Sequence, residues 1–155
     1  MKRRLSTLLL LALIALGGYI AIERSFSKKY FLTVKGVSLE VEPAHTPYLR
    51  QKGLMGRHAL SENNGMLFIF DLPDHQIFWM KNTIIPLSIA FISGEGVILE
   101  VLDMAPDSWD GKLASYRSKN KVRLALEVNQ GWFGRHGIGV GDQIYFSRSV
   151  RKLLK

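Results

Sequence analysis

The sequence predicts a mainly β domain, built as a compact antiparallel sandwich or barrel with one or two short helices. About seven or eight short runs of apolar, β-branched and aromatic residues alternate with turn-forming residues, which is typical of such architectures. Only one segment has both a start and a stop signal for a helix, and no segment keeps the 3.6-residue period of a helical bundle. A chain of 155 residues with one apparent membrane segment leaves room for a single soluble domain of roughly 115–125 residues, enough to bury a substantial core.

Two hairpins are predicted within this domain. Phe31–Val34 and Val37–Glu42 flank a two-residue turn that contains glycine, and Leu87–Ile92 and Val97–Met104 flank a second polar, glycine-containing turn. Short alternating runs on either side of such turns are typical of paired antiparallel strands. Pro43 is expected to end the second strand.

The helix is predicted between these hairpins. Thr46 offers a hydroxyl at the N-cap position, and Pro47 suits the first helical position because its missing N–H would have no partner there. The helix is expected to run to about Lys52, with Gly53 as its C-terminal stop.

The remaining strands are short. Met66–Phe70 is an almost unbroken apolar run, as expected for a strand buried on both faces, and Gln76–Met80 returns after a turn at 71–75. Val122–Val128 alternates apolar residues with Arg123, Ala125 and Glu127, as in a half-buried strand. Residues 105–121 are predicted to form a surface loop, and residues 143–147 a last strand.

The amino end carries the pattern of a signal anchor. Three basic residues at 2–4 precede Leu5–Ile22, an uncharged run of 18 residues that is near the lower length for crossing a bilayer. The basic flank is expected to stay in the cytoplasm, so the domain lies outside it as part of a single-pass membrane protein. A cleaved signal peptide is the alternative, because Ala15-Leu16-Gly17 offers small residues for cleavage and the domain would then be secreted.

The net charge of +8 comes from the two ends of the chain. Of the 21 Lys and Arg residues, six lie in residues 1–30 and four in residues 148–155, which leaves 11 basic against 12 acidic residues between them. Because a nucleic-acid binder carries its basic groups on the folded domain, no nucleic-acid partner is expected. The chain therefore divides into an anchor and linker at 1–30, a single β domain at 31–147 and a basic tail at 148–155.

Motifs for most catalytic and metal chemistry are missing from the sequence. There is no cysteine, no nucleophile elbow, no phosphate-binding loop and no pair of histidines at metal-ligand spacing. His75 with Asp71 and Asp74 is the best metal candidate, but an exposed acidic turn is favoured there. No catalytic residue, metal or cofactor is predicted.

The most informative stretch is Phe78–Leu87. Two aromatic residues and a methionine run directly into Lys81, Asn82 and Thr83, as if a strand left the core at a polar site. A structural polar network with Glu127 or Asp142 as counter-ion to the lysine is one interpretation, because buried polar groups need partners. The other is the polar wall of a small-ligand or glycan pocket beside an aromatic side chain. The candidate ligand-binding residues are Arg57, Trp79, Lys81, Asn82, Thr83 and Glu127.

Several motifs, taken together in this order, resemble the domain of unknown function 192 family over roughly residues 33–146. They are Gly53-Leu54-Met55-Gly56-Arg57, Gly65-Met66-Leu67-Phe68, Phe78-Trp79-Met80-Lys81-Asn82-Thr83, Ile85-Pro86-Leu87, Leu126-Glu127-Val128 with Gly131, and Gly141-Asp142. The resemblance implies a mostly β fold of jelly-roll or barrel character, usually placed behind a signal or lipid anchor in prokaryotes. It implies no established activity and no catalytic residues.

The chain departs from the family pattern at two places. Ser88 stands where the family usually has Asp after Pro-Leu, so any metal or acid–base role of that carboxylate is absent here. The usual cysteines in the loop before Tyr116 are also missing, which argues against an obligatory redox or disulfide role.

Three functions follow from these observations. The first is a membrane-tethered extracytoplasmic binding or accessory module with a small-ligand or glycan site. The second is an envelope interaction scaffold, which predicts an exposed apolar patch near Trp109 or Trp132. The third is a small hydrolase, which needs a carboxylate or histidine of perturbed proton affinity inside a pocket.

Overall fold

A computed structural model describes residues 29–108 and 113–155, which form a curled mixed β-sheet with a few short helices. The mainly β class predicted from the sequence is confirmed. The predicted membrane segment Leu5–Ile22 and the side chain of Trp109 lie outside the described residues. Within the described ranges, no helix combines the length and the apolar character needed to cross a bilayer.

Seven strands form one sheet in the order β6-β5-β8-β3-β2-β1-β9, and β4 and β7 form a separate two-stranded ladder. The described strands are β1 (Phe31–Val34), β2 (Val37–Ala44), β3 (Asn64–Asp74), β4 (Ile77–Trp79), β5 (Leu87–Ile92), β6 (Ile98–Met104), β7 (Ser115–Arg117), β8 (Val122–Asn129) and β9 (Ile144–Phe146). The helices are α1 (Pro47–Lys52), α2 (Trp132–Arg135) and α3 (Arg148–Arg151).

The sheet is mixed rather than purely antiparallel, because β2 and β3 run parallel. The connection between them crosses over through α1, as a parallel pair requires. Pro43 lies inside β2, opposite Leu67, and does not end the strand as predicted. Beyond Glu40, β2 has no ladder partner in β1, so the missing N–H of Pro43 is tolerated at this free edge.

Helix α1 forms as its end signals predict. The Thr46 side chain accepts a hydrogen bond from the backbone N–H of Leu49 at 3.3 Å. Pro47 occupies the first turn, and Gly53 ends the helix with a positive φ of 49°. Local chemistry alone therefore fixes both ends of α1.

Strand β8 is central rather than half-buried, which corrects the expectation from its alternating sequence. It pairs with β3 on one side and β5 on the other. Both faces of the curled sheet carry a buried apolar cluster, and Leu126 and Ala125 belong to opposite ones. The face shared by Ala125 and Glu127 is thus an interior face, so the carboxyl of Glu127 is carried into the protein.

The segments predicted as a turn and a surface loop both contain strand. β3 continues to Asp74 after an irregularity in its pairing with β8, although residues 71–74 are exposed. β7 arises within the predicted loop and pairs with β4, placing Tyr116 opposite Phe78. The Tyr116 hydroxyl accepts a hydrogen bond from the backbone N–H of Ala105 at 2.9 Å. Because β4 and β7 are far apart in the sequence, no pattern of neighbouring residues predicts their pairing.

Candidate functional site

A cleft of about 410 Å³ opens between α1, β3 and β4. Its lining is mostly apolar, and the polar groups are few. The lining residues are Arg50, Gln51, Lys52, Gly53, Leu54, Met55, Phe68, Phe70, Ile77, Phe78, Trp79, Thr83 and Glu127. A volume in this range suits a small organic ligand, for which typical pockets measure roughly 300–1,000 Å³.

Glu127 is the acidic group of the cleft. Its position on β8 is opposite Met66 of β3 and Ile89 of β5, so its strand neighbours on both sides are apolar and buried. The residue is only 4% exposed. Position in the centre of the sheet, rather than any local motif, brings this carboxyl to the cleft.

The Glu127 carboxyl has neither an ion-pair partner nor a hydrogen-bond partner among the described residues. No polar side-chain atom sealed from solvent is left without a partner in the described chain, so the carboxyl oxygens are open to the cleft. Burial raises the pKa of Glu127 from 4.5 to about 8, because the charged form loses its hydration and gains nothing in return. At pH 7 a pKa of about 8 leaves the group mainly protonated.

Aromatic side chains form one wall of the cleft. Phe78 meets Phe68 edge to face with ring centroids 4.9 Å apart, and it meets Phe70 in the same way at 6.3 Å. β4 turns Phe78 inward and leaves Trp79 at the mouth with 48% of its surface exposed. The cleft thus has a fixed aromatic wall and a more accessible indole at its entrance.

The polar triplet after β4 forms a tight turn. The backbone N–H of Thr83 donates to the carbonyl of Met80 at 3.0 Å, and Asn82 takes a left-handed φ of 53°. Asparagine adopts this conformation more readily than most residues. The Asn82 N–H donates to the Asp107 carboxylate at 2.9 Å, and its carbonyl accepts from the N–H of Gly56 at 2.8 Å. The turn therefore holds the loop after α1 against β4.

The six candidate residues do not form one cluster. Trp79, Thr83 and Glu127 line the cleft. Lys81 and Asn82 are exposed and line a neighbouring groove of about 380 Å³, which shares Trp79 and part of α1 with the cleft. Glu127 forms no ion pair with Lys81, and Asp142 pairs instead with Lys35 at 3.1 Å. Neither residue is therefore the counter-ion that one interpretation of the sequence gave to Lys81.

Arg57 lies away from the cleft lining. Its two terminal nitrogens donate to the two carboxylate oxygens of Glu42 at 2.6 Å each. Both side chains are partly exposed. The pair braces the loop after α1 against β2.

Arg50 is a cleft residue that sequence reasoning missed. Its guanidinium donates to the backbone carbonyls of His45 at 3.1 Å and Ile69 at 2.8 Å, and lies 5.3 Å from the ring centroid of Phe70. Asp71 is 3.9 Å away at the surface. The sequence places Arg50 in the last turn of a predicted helix. A basic residue there indicates a favourable contact with the helix dipole and does not indicate a place in a cleft.

The proposed acidic metal site does not assemble. His75 lies 3.1 Å from the carbonyl of Ser118 through Nδ1, and Asp74 accepts from the backbone N–H of His75 at 2.8 Å. Over residues 29–108 and 113–155, no three His, Asp or Glu side chains are arranged to hold a metal ion.

The fold and the cleft define a small β domain with an internal, acid-bearing pocket. The chain belongs to the domain of unknown function 192 family, described as an uncharacterised ACR, whose profile matches residues 30–146. The family resemblance carried by the sequence motifs is thus confirmed. The comparison with curated proteins gives no match.

Two solved structures share the fold. A protein from Sinorhizobium meliloti, provisionally described as a transcription regulator, is 32% identical with a TM-score of 0.71 and covers 77% of this chain and 94% of its own. A protein of unknown function from Novosphingobium aromaticivorans is 30% identical with a TM-score of 0.69, covering 76% of this chain and 84% of its own. The matched domain therefore makes up almost the whole of the solved Sinorhizobium chain.

Proposed function

We propose that this protein is a binding module whose ligand is a small, largely apolar molecule held in the Glu127 cleft. The observation that carries the proposal is the unpartnered carboxyl of Glu127, buried in an apolar cleft yet open to its interior. A carboxyl in such a place costs free energy, since its ionised form is poorly solvated. A perturbed acid in a cleft is a common mark of a functional site.

A purely structural role explains Glu127 poorly. Buried polar groups that stabilise a fold do so through hydrogen bonds, and this carboxyl makes none within the described chain. A leucine or methionine of similar volume would serve the interior better, because it carries no desolvation cost. The carboxyl is therefore better explained by a ligand that completes its interactions.

The chemistry of the lining narrows the ligand class. Sugars present many hydroxyl groups and need several converging polar partners. In this cleft Gln51 and Lys52 are exposed on α1, and the Arg50 guanidinium is held by backbone carbonyls. The buried polar side chains of the lining are Thr83 and Glu127. An apolar body with one polar group matches that lining. The neighbouring groove beside Lys81 and Asn82 provides room for a polar extension of the same ligand.

We extend the proposal to the cellular location of the binding module. Leu5–Ile22 supplies an anchor after a basic flank, so the binding domain is held on the extracytoplasmic side of a membrane, or is secreted if the segment is cleaved. Protease treatment of intact cells tests this topology. Digestion of a carboxyl-terminal epitope in intact cells supports export, and protection until the cells are lysed contradicts it.

The Sinorhizobium relative is provisionally described as a transcription regulator, but nucleic-acid binding by this chain receives little support. Residues 31–147 hold nearly equal numbers of basic and acidic side chains. Binding to phosphate backbones depends on clustered positive charge.

An interaction scaffold is the second candidate, and one observation favours it. Leu72, Ile77 and Trp79 are 77%, 59% and 48% exposed, and the last two also line the cleft. The predicted patch at Trp132 is wrong, because that side chain is fully buried. Glu127 meets the requirement stated for a hydrolase, a carboxyl of perturbed pKa inside a pocket. Because the lining offers neither a histidine nor a second carboxylate to act with it, a binding role is better supported.

Thermal unfolding of residues 29–155 against a panel of aromatic and aliphatic amines, alcohols, acids and glycans tests the binding proposal. A ligand at about a hundred times its Kd should stabilise the fold by about 2.7 kcal/mol. We expect hits for the wild type and for Glu62→Gln, whose carboxylate pairs at the surface with Arg135, and weaker or lost hits for Glu127→Gln. A flat panel for all three proteins contradicts the proposal and favours the scaffold.

A further inference from the structure

We propose that the ligand of this cleft carries an ammonium group on an apolar body, and that its binding displaces the proton of Glu127. The inference rests on the proposed binding function and adds the charge of the ligand. It also predicts a proton released to solvent for each ligand bound.

The charged side chains near Glu127 leave its carboxyl available to a cationic group of a ligand. No described lysine, arginine or histidine forms an ion pair with this carboxyl. Two basic residues line the same cleft, but the Arg50 guanidinium is occupied by the carbonyls of His45 and Ile69, and Lys52 is exposed on α1. From β3 and β5, the residues facing Glu127 across the ladder are Met66 and Ile89, and neither carries a charge.

The aromatic wall favours the same ligand charge. Phe68 and Phe78 line the cleft together with Trp79 at its mouth, whereas the ring of Phe70 already has the Arg50 guanidinium 5.3 Å from its centroid. The faces of aromatic rings attract cations, and an ammonium group that has left water gains most from them. A carboxylate in the same cleft completes an environment suited to an alkylammonium ion.

The proton balance follows from the state of the empty site. Burial raises the pKa of Glu127 to about 8, so the group holds a proton at pH 7 when no ligand is present. An aliphatic amine arrives already protonated and keeps its own proton. Pairing with the ammonium favours the carboxylate, so the Glu127 proton passes to the buffer and the cleft then holds one positive and one negative charge.

Ligands of other charge are expected to leave the proton on Glu127. A neutral alcohol hydrogen-bonds to the protonated acid and leaves its proton in place. An anionic ligand brings a second negative charge towards Glu127, which opposes ionisation and keeps the proton bound. Lys52 and Lys81, at the groove beside the cleft, would hold such an anion near the mouth instead.

Isothermal titration calorimetry of residues 29–155 separates these cases. Phenylbutylamine, phenylbutanol and phenylbutyrate share one apolar body and differ in charge. Each is titrated at pH 7 in two buffers of different ionisation enthalpy, which gives the number of protons exchanged. We expect the amine to bind at least about tenfold more tightly than the alcohol and to release close to one proton. Glu127→Gln should lose both the preference and the release, while Glu62→Gln keeps both.

The outcomes distinguish this inference from the function on which it rests. If the alcohol or the acid binds as tightly as the amine and no proton is released, the ammonium inference is overturned while the binding function stands. If none of the three probes binds, the inference also fails, and the wider unfolding panel decides the binding function separately. A matched thermal melt of Glu127→Gln without ligand shows that the variant is folded.

Discussion

Gly65 on β3 lies directly against the backbone of Glu127 on β8. A Cβ atom placed on Gly65 would come within 2.6 Å of the Glu127 carbonyl oxygen and within 3.1 Å of Cγ1 of Val128. Gly65 pairs with Val128 and Met66 with Glu127 in the β3–β8 ladder. The absence of a side chain at residue 65 therefore lets the two strands approach closely at Glu127.

We expect Gly65→Ala to destabilise the domain by about 1–3 kcal/mol, because the clash is with backbone and the strands must move apart. Denaturant unfolding measures the loss. Gly94→Ala serves as control, since a Cβ there meets nothing within 4 Å. Equal stability of the two variants would contradict the close approach of β3 and β8.

Glu127→Gln should change how stability depends on pH. In the wild type the pKa of Glu127 is raised from 4.5 to about 8 in the folded state, so the folded protein binds the proton more tightly than the unfolded chain. The stabilisation from this proton is complete below pH 4.5 and is lost as pH rises towards 8, with a slope of roughly 1 kcal/mol per pH unit. The glutamine variant has no such proton to lose.

Urea unfolding of both proteins between pH 5 and pH 8.5 checks this expectation. The free energy of unfolding of the wild type should fall relative to Glu127→Gln across that interval. A constant difference between the two proteins would show that Glu127 titrates in the folded state as it does in the unfolded chain.

Substitution of the two described tryptophans should affect stability and ligand binding differently. Trp132 is fully buried, and its indole N–H donates to the side chain of Asn63 at 3.1 Å, so Trp132→Ala should cost about 3–5 kcal/mol. Trp79 is half-exposed at the cleft mouth, so Trp79→Ala should cost about 1 kcal/mol or less but weaken amine binding. Unfolding and calorimetry on both variants test the contrast, which fails if Trp79→Ala binds the amine as the wild type does.

Ser88 has a structural task in this chain. The residue is 1% exposed. Its hydroxyl donates a hydrogen bond to the Asp103 carboxylate and accepts one from the backbone N–H of Gly131 at 2.8 Å. Ser88 lies opposite Val128 in the ladder, so its side chain is on the other face of the sheet from Glu127. Ser88→Ala should cost about 1–3 kcal/mol, because it leaves the partly buried N–H of Gly131 without its acceptor. Amine affinity measured by calorimetry should not change, and a large loss would contradict the separation of the two faces.

Features set by neighbouring residues were predictable from the sequence. Thr46, Pro47 and Gly53 mark both ends of α1, and the β1–β2 turn at Lys35 and Gly36 follows from its glycine-containing, positive-φ geometry. These features depend on interactions within a few residues along the chain. Local chemistry is sufficient to determine them.

Features set by distant pairing were not predictable. The alternation in β8 indicates one buried face, but β3 and β5 enclose the strand and cover the second. Glu127 was named as a candidate ligand-binding residue and as a possible counter-ion of Lys81, but its lack of a partner among the described residues was not predicted. Its burial depends on segments more than 30 residues away, and no pattern within 122–129 contains that information.

The central claim is that Glu127 is a protonated, ligand-accessible acid in the empty cleft. Carbon-13 NMR of the glutamate side-chain carboxyls in residues 29–155, with Glu127→Gln to assign the signal, tests it directly. We expect the Glu127 signal to titrate with a midpoint about 8 and to move to the carboxylate position at pH 7 when phenylbutylamine is added. A midpoint near 4.5 and a signal that does not respond to the amine would contradict the account.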